Sequence, residues 1–235
     1  MKRLIALFIC ALYIFAFSAC SVKDGGSTET TGQSIASSAE SQSGFQTDGS
    51  YLLYDGIYIT DFSSYSGKYV EDGSGDEVKD VYSVTLFNGS DKDYQLIDFS
   101  LLSGDEKYTF SAKTVLAGSK MILLEAGRKA FDEKAEDFSV EINGITEFDE
   151  KPSVCPDELE INYTDNIINV KNISGKELKN VYVYYKGYEN GAYLGGITYR
   201  VSVGDIPPDA VVQTFSANLF SESSQIVFSS FETET

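Results

Sequence analysis

Apolar and polar residues alternate along most of the chain after residue 50, and the alternating runs are short. They include "SVTLFNGS", "KYTFSAKTV", "SVEINGI", "NVYVYYKG" and "QIVFSSF", each bounded by Gly, Asn, Asp or Pro. Period-two runs of this length predict β-strands that place one face in a core. Turn residues recur about every 8–12 positions, a spacing typical of β-sandwiches. The pattern therefore predicts an all-β fold.

One segment departs from the alternation. "EAGRKAFDEKAEDF", Glu125 to Phe138, is rich in helix-forming residues and lacks a period of two. It predicts a short helical turn that crosses between two sheets.

Two stretches of the chain resemble each other. "VTLFNGSDKDYQLIDFS", from Val84, aligns without gaps with "INVKNISGKELKNVYVY", from Ile168. Each reads as strand, Asn-containing turn and strand, because Asn tolerates a left-handed backbone and can bond to neighbouring amides. "VLAGSKMILLE" and "DIPPDAVVQTF" continue the similarity as a turn followed by an apolar strand. We therefore predict a duplication in which Asn88 and Asn172 occupy equivalent turns, with Ile97 and Val181 in corresponding cores. The alternative is chance similarity among strands that all alternate.

The N-terminus predicts export. Lys2 and Arg3 precede an uncharged, mostly apolar run that ends at Ala19 and is shorter than the roughly 20 residues needed to span a bilayer. The run closes with "FSAC", which resembles the lipobox of bacterial lipoproteins, with Phe17 where that family usually has Leu. The resemblance implies a signal peptide at residues 1–19 and diacylation (palmitate or a similar chain) of Cys20. The alternative is an ordinary signal peptide or an uncleaved anchor.

A tether follows the signal. Residues 20–50 are dominated by Ser, Thr, Gly and Gln, with few large apolar residues. Such a segment cannot bury enough surface to offset its ordering entropy. We expect a flexible, lipid-anchored spacer before the first strand.

Two modules suit the remaining length, residues 51–150 and 156–235, joined at "DEKPSVCPDE". The second copy carries "VKNISGKELKNVYVYYKGYENGAYLGG" and "VGDIPPDAVV", which resemble the small immunoglobulin-like modules of Gram-positive surface lipoproteins, in particular the FxLYD type. The resemblance implies two tandem immunoglobulin-like β-sandwiches and no catalytic residues. One larger β-sandwich is the alternative.

Charge and composition narrow the function classes. The chain has 36 acidic and 18 basic residues, a formal net charge of −18, and no histidine. Nucleic acid and anionic lipid head groups are poor partners for that charge. The missing histidine excludes His-based triads and His-ligated zinc. Cys155, in the connector "SVCPD", has no histidine to activate it, so we expect no enzyme and no cofactor.

A candidate cation site lies in "EDGSGDE", residues 71–77. Asp72, Ser74 and Asp76 offer oxygens at alternate positions, which suits calcium, but the EF-hand pattern then fails at Glu77 and Ser83. The alternative is a polar hairpin loop that uses Gly for its turn.

The tyrosines are the other candidates. Tyr182, Tyr184, Tyr188 and Tyr193 crowd one region. Tyrosine offers contact area and a hydroxyl, so these residues are a possible ligand face for a glycan or a protein. The alternative is that they pack on sheet faces, since aromatic residues favour strands.

The sequence thus predicts a lipoprotein held by its lipid at the extracytoplasmic face of the cell membrane. We expect a non-enzymatic interaction or structural module of the cell envelope, with an unknown envelope protein or a glycan as its partner. The alternative function is a surface lipoprotein that binds a glycan or another small ligand.

Overall fold

The fold is all-β, as the alternation predicts. The computed structural model describes residues 44–132, 138–219 and 222–233. The first half of the chain contains β1 (Gly44–Phe45), β2 (Tyr51–Tyr54), β3 (Ile57–Lys68), β4 (Glu77–Asn88), β5 (Tyr94–Ser103), β6 (Glu106–Val115), β7 (Lys120–Leu124) and β8 (Ser139–Glu147). The second half contains β9 (Leu159–Thr164), β10 (Ile167–Asn172), β11 (Leu178–Glu189), β12 (Ala192–Ile206), β13 (Val211–Phe215) and β14 (Ser224–Thr233). Among the residues that the structure describes, no membrane-spanning helix is found.

The strands form three sheets. The largest has eight strands in the order β1-β2-β3-β4-β7-β12-β11-β14, and two three-stranded sheets have the orders β6-β5-β8 and β13-β10-β9. The eight-stranded sheet crosses from one half to the other where β7 and β12 pair in parallel, with Met121 opposite Tyr193 and Ile122 opposite Leu194. All other strand pairs in these sheets are antiparallel.

The two halves repeat one topology. In the first half β3-β4-β7 faces β6-β5-β8, and in the second half β9-β10-β13 faces β12-β11-β14. Each strand from β3 to β8 therefore has a counterpart from β9 to β14 in the same position. The eight-stranded sheet joins unlike members of the repeat, the β4-containing sheet of the first half and the β11-containing sheet of the second.

Each half has its own cluster of buried apolar side chains. Ile97 lies in the first cluster and Val181 in the second, and neither has exposed surface. The first cluster also includes residues of the second half, such as Tyr184 and Phe228, because β11 and β14 bury both of their faces. The structure thus combines two cores, as tandem sandwiches would have, with one continuous sheet, as a single larger sandwich would have.

The Asn-containing turns are equivalent in detail, which confirms that part of the predicted duplication. The Asn88 side chain donates to the carbonyl of Lys92 at 2.8 Å and to that of Val115 at 3.2 Å. The Asn172 side chain donates to the carbonyl of Lys176 at 2.6 Å and to that of Ile206 at 2.8 Å.

Both turns also use the side-chain oxygen in the same way. Asn88 Oδ1 accepts from the N–H of Ser90 at 3.0 Å, and Asn172 Oδ1 accepts from the N–H of Ser174 at 2.9 Å. Each buried amide therefore ties the end of one strand to the following turn and to the end of a strand in the facing sheet.

The helical turn predicted for residues 125–138 is absent from the part of the segment that is described. Ala130 instead forms a β-bridge with Val81 of β4. Pairing with an existing strand fixes an extended backbone there, and this tertiary contact overrides the local helix propensity. Residues 133–137 lie outside the described residues.

The first described strand lies inside the segment that the sequence predicts to be tether. Gly44 pairs with Leu52, and Phe45 pairs with Tyr51, so β1 and β2 form a hairpin. The predicted signal peptide, Cys20 and the predicted tether up to residue 43 lie outside the described residues.

Candidate functional site

The acidic loop between β3 and β4 converges on an arginine. The Arg128 guanidinium lies 2.6 Å from Asp72 Oδ2, 3.4 Å from Ser74 Oγ and 3.2 Å from Asp76 Oδ2. Hydrogen bonds from Ser74, and then from Arg128, lower the pKa of Asp72 to about 2. The three oxygens considered for calcium thus surround a cation that the chain itself supplies. In the described ranges no group of three His, Cys, Asp or Glu side chains could hold a metal ion.

The same arginine fixes the loop to the turn after β7. Its guanidinium lies 4.4 Å from the centre of the Tyr69 ring, a cation–π distance. The Tyr69 hydroxyl lies 3.0 Å from the carbonyls of both Glu125 and Ala126. Burial, and then the charge of Glu71, raises the pKa of Tyr69 to about 12, so its hydroxyl stays a donor at neutral pH.

Glu71, at the start of this loop, bridges the two strands that connect the halves. Its carboxylate accepts from the N–H of Leu124, in β7, at 2.9 Å. It also accepts from the N–H of Gly196, in β12, at 3.0 and 2.8 Å to its two oxygens. Burial raises the pKa of this carboxyl, and the backbone donors oppose that rise. Glu71 therefore satisfies edge amides that the short β7–β12 ladder leaves open.

Lys186, in β11, bridges the halves from the other side. Its ammonium group donates to the carbonyls of Lys113 at 2.9 Å, Ile197 at 2.8 Å and Gly196 at 3.2 Å. Thr198 Oγ1 lies 3.3 Å away. The side chain has no exposed surface, and burial lowers its pKa to about 7. We call the parallel β7–β12 pair, with Glu71 and Lys186, the junction.

Two glycines of β12 allow the halves to approach each other. Gly195 has φ +78°, a left-handed backbone, and a Cβ there would overlap the Val70 side chain. A Cβ on Gly196 would overlap the carbonyl oxygen of Ser111, in β6, and lie 2.8 Å from its carbonyl carbon. Only a residue without a side chain fits this contact, so the glycine pair determines how closely β12 packs on the first half.

Two of the four candidate tyrosines lie in the core. Tyr184 is 8% exposed and stacks on Phe228 with ring centres 3.9 Å apart and an interplanar angle of 9°. The Phe148 ring, which follows β8, meets Phe228 edge-on at 5.8 Å. Tyr193 is 7% exposed and belongs to the same apolar cluster. These rings hold the first half against the second and offer little surface to a ligand.

The other two tyrosines are more accessible. Tyr182 is half-buried, with the Arg200 guanidinium 4.8 Å from its ring centre. Tyr188 is 38% exposed and packs edge-on against Tyr193 at 5.3 Å. The structure thus brings Tyr188 and Tyr193 together, while Tyr182 and Tyr184 follow each other on the same face of β11.

Cys155 belongs to the second core. It has no exposed surface, and its backbone has φ +54° at the turn before β9. A buried thiol of this kind is inaccessible to reactants.

The sequence points to the loop at residues 71–77, but it does not single out the two residues that form the junction. Glu71 lies in the loop that was considered for calcium, and Lys186 lies beside the tyrosines, yet neither was singled out. A lysine between apolar residues of a central strand is the available signal, because such a position is buried in a two-faced sheet. Strong pKa shifts often mark active sites, but here both charged groups are bound to backbone atoms between the halves. Glu71 and Lys186 therefore serve to hold the two halves together.

A search against family models finds none that matches the chain, and a search among curated proteins finds no relative.

Proposed function

We propose that the protein is a non-enzymatic structural and interaction module, displayed at the extracytoplasmic face of the cell membrane by a lipid on Cys20. The basic start, the short apolar run and "FSAC" support the anchor. The Ser/Gly-rich stretch supports a spacer between the lipid and the first strand. On this proposal the folded part is an immunoglobulin-like pair that meets other molecules away from the membrane.

The junction is the observation that carries the structural side of the proposal. Tandem modules that move independently are joined by exposed linkers and small polar contacts. Here the halves share one sheet, and half-buried Glu71 and fully buried Lys186 make hydrogen bonds from one half to the other. A body of this kind keeps a fixed spacing between its ends, which suits a spacer or a scaffold better than a hinged clamp.

The alternative, a glycan-binding lipoprotein, has less support. Tyr184 and Tyr193 have little exposed surface, which leaves Tyr188 and the edge of Tyr182 to form a stacking platform. Stacking of a sugar needs an open ring face, and in this group Tyr188 offers the most exposed one.

The anchor can be tested in cells that are fed an alkyne-labelled fatty acid. The intact chain should be labelled and should sediment with membranes, while the Cys20→Ala variant should be unlabelled. Cys155→Ala is the matched control, because Cys155 is buried and should leave labelling unchanged. Equal labelling of the Cys20→Ala variant and the intact chain would contradict the anchor.

The interaction role can be tested by crosslinking intact cells with a reagent that cannot cross the membrane. Recovery of protein partners, unchanged by Tyr188→Ala, would support the proposal. Recovery of glycan that depends on Tyr188 would favour the alternative instead.

A further inference from the structure

The duplication draws attention to the outer edge of β13, because the equivalent edge of β7 pairs with another strand. β7 and β13 occupy the same position in the two halves, at the end of β3-β4-β7 and of β9-β10-β13. The outer edge of β7 pairs with β12. The outer edge of β13 pairs with no strand in the part of the chain that the structure describes. The chain thus shows on its first half that this edge accepts a further strand.

The backbone of β13 offers its hydrogen-bonding groups outward at three residues. Asn172 donates its N–H to the carbonyl of Ala210, and Ser216 donates its N–H to that of Asn166. Because bonding alternates along an antiparallel pair, the residues of odd number between them turn their N–H and C=O away from β10. These residues are Val211, Gln213 and Phe215.

The side chains on this edge are apolar and exposed. Val211 is 60% exposed and Phe215 is 66% exposed, the two highest values among the exposed large apolar residues of the described chain. Ile167, opposite Phe215 in β10, is also exposed. β13 itself, "VVQTF", has no charged residue, no proline and no break in its register with β10. It therefore lacks the devices that usually protect an edge strand.

Four other strand edges, those of β6, β14, β8 and β9, are occupied or carry polar or irregular features. The edge of β6 is occupied at Thr109, whose N–H donates to the Glu125 carboxylate and whose carbonyl accepts from the N–H of Ala126. In β14, the N–H of Ser229 donates to the carbonyl of Ser153. β8 carries register shifts and glutamates, and β9 carries exposed polar side chains.

We propose that β13 pairs edge to edge with β13 of a second copy of this chain, in antiparallel orientation about a two-fold axis through Gln213. In this register Val211 lies opposite Phe215 of the other copy, Gln213 lies opposite its own equivalent, and each pair exchanges two backbone hydrogen bonds. The two β9-β10-β13 sheets become one continuous sheet.

Charge limits where two copies can meet. The chain has a formal net charge of −18, so two copies repel each other over most of their surfaces and can approach most easily at an uncharged edge. The five residues of β13 are uncharged, and its neighbour in the register of Val211 is Lys171 rather than an acidic residue. The contact is small and belongs to the weak, transient class of interfaces, so confinement to one membrane surface would favour it.

The test uses cysteine crosslinking of the full chain in membranes. Gln213→Cys places the two sulfurs across the axis, where the Cα atoms of a bonded antiparallel pair lie about 5.5 Å apart, within disulfide range. Asn162→Cys is the matched control, since Asn162 lies in the same cross-strand row but on β9, at the opposite edge of the sheet. The unsubstituted chain gives the background from its native cysteines.

Mild oxidation should convert the Gln213→Cys chain to a dimer and leave the Asn162→Cys chain at background. Adding Phe215→Lys should lower the dimer yield about tenfold, because an edge lysine opposes strand pairing. Ile142→Lys, another exposed apolar residue made basic, should not lower it.

Two results would overturn the proposal. One is equal crosslinking at positions 213 and 162, which would mean random collision. The other is crosslinking of position 213 to a different protein instead of itself, which would mean that another partner occupies the edge.

Discussion

Gly196→Ala should separate the two halves at the junction. A Cβ at this position would lie 2.8 Å from the Ser111 carbonyl carbon and 3.2 Å from Ala112 Cα, both backbone atoms that cannot rotate away. The same Cβ would overlap the Ser111 carbonyl oxygen. Carbon atoms pack best at about 3.5–4.0 Å, so β12 must move from β6 by more than about 1 Å. The N–H of Gly196 would then leave the Glu71 carboxylate, and the Lys186 ammonium would leave the Lys113 carbonyl.

The expected loss in the free energy of unfolding is the sum of two contributions. Overpacking in a filled core costs about 1–3 kcal/mol. Losing a hydrogen bond to a charged group costs about 1.5–3 kcal/mol. The free energy of unfolding should therefore fall by about 3–5 kcal/mol. The melting temperature should fall by roughly 10 °C, at about 2–4 °C per kcal/mol for a chain of this size.

Urea denaturation followed by circular dichroism measures the free energy of unfolding, with Gly144→Ala as the matched control. Gly144 lies in β8, has no atom within 4 Å of an added Cβ and does not have a left-handed backbone. Hydrogen exchange at the amides of Met121 and Leu194 should rise only in the Gly196 variant. If both variants unfold within about 0.5 kcal/mol of the parent chain, the close approach at Gly196 does not hold the halves together.

Four further outcomes are expected. Asn172→Asp should lower the free energy of unfolding, measured in urea, by more than Asn172→Ala does. The reason is that a carboxylate would face the carbonyls of Lys176 and Ile206, to which the Asn172 amide donates. The reverse order would contradict a stabilising role of this amide. Between pH 7 and 9, stability should rise by up to about 1.4 kcal/mol per pH unit. The reason is that the folded state holds Lys186 with a pKa lowered to about 7, so the unfolded state binds more protons in this window. Lys186→Met should remove the rise, and parallel curves for the two chains would refute this assignment. Ile97→Ala and Val181→Ala should each cost about 2–4 kcal/mol and each displace one shared calorimetric transition, since the halves share a sheet; two transitions that respond separately would show independent halves. Arg128→Ala should raise the Asp72 pKa, followed by carboxyl NMR, while Ser74 keeps it below its usual value; an unchanged pKa would mean that the guanidinium does not bind the loop in solution.

Local pattern was sufficient for much of the fold. The runs "SVTLFNGS" and "NVYVYYKG" are strands β4 and β11 because period-two alternation reports which face is buried. The duplication was visible because Asn88 and Asn172 make the same bonds, which require the same side chain at the same offset. The segment around Ala130 does not form the helical turn that its composition predicts, because its conformation depends on Val81, far away in sequence.

The junction could not be read from the sequence. Parallel pairing of β7 with β12 joins edges separated by four strands along the chain, and no local pattern encodes which edge meets which. In the sequence Glu71 and Lys186 resemble solvent-exposed charged residues, because only that pairing brings the backbone groups they bind close to them. The tyrosines beside Lys186 resemble a ligand-binding face in the sequence for the same reason. The packing of Phe148 on Phe228, which covers part of that face, comes from the opposite half.

The order of synthesis gives the β7–β12 pair a further consequence. When residues up to Glu147 have been made, every strand of the first half exists, but β12 begins only at Ala192. During that interval the edge carrying Met121 and Ile122 is as open as β13 is in the finished protein. Neighbouring nascent chains could then pair at the wrong edge, which makes crowding during production a hazard. Slowing translation between residue 147 and Ala192 should therefore raise aggregation. Slowing translation before Lys120 should have little effect, because β7 does not yet exist.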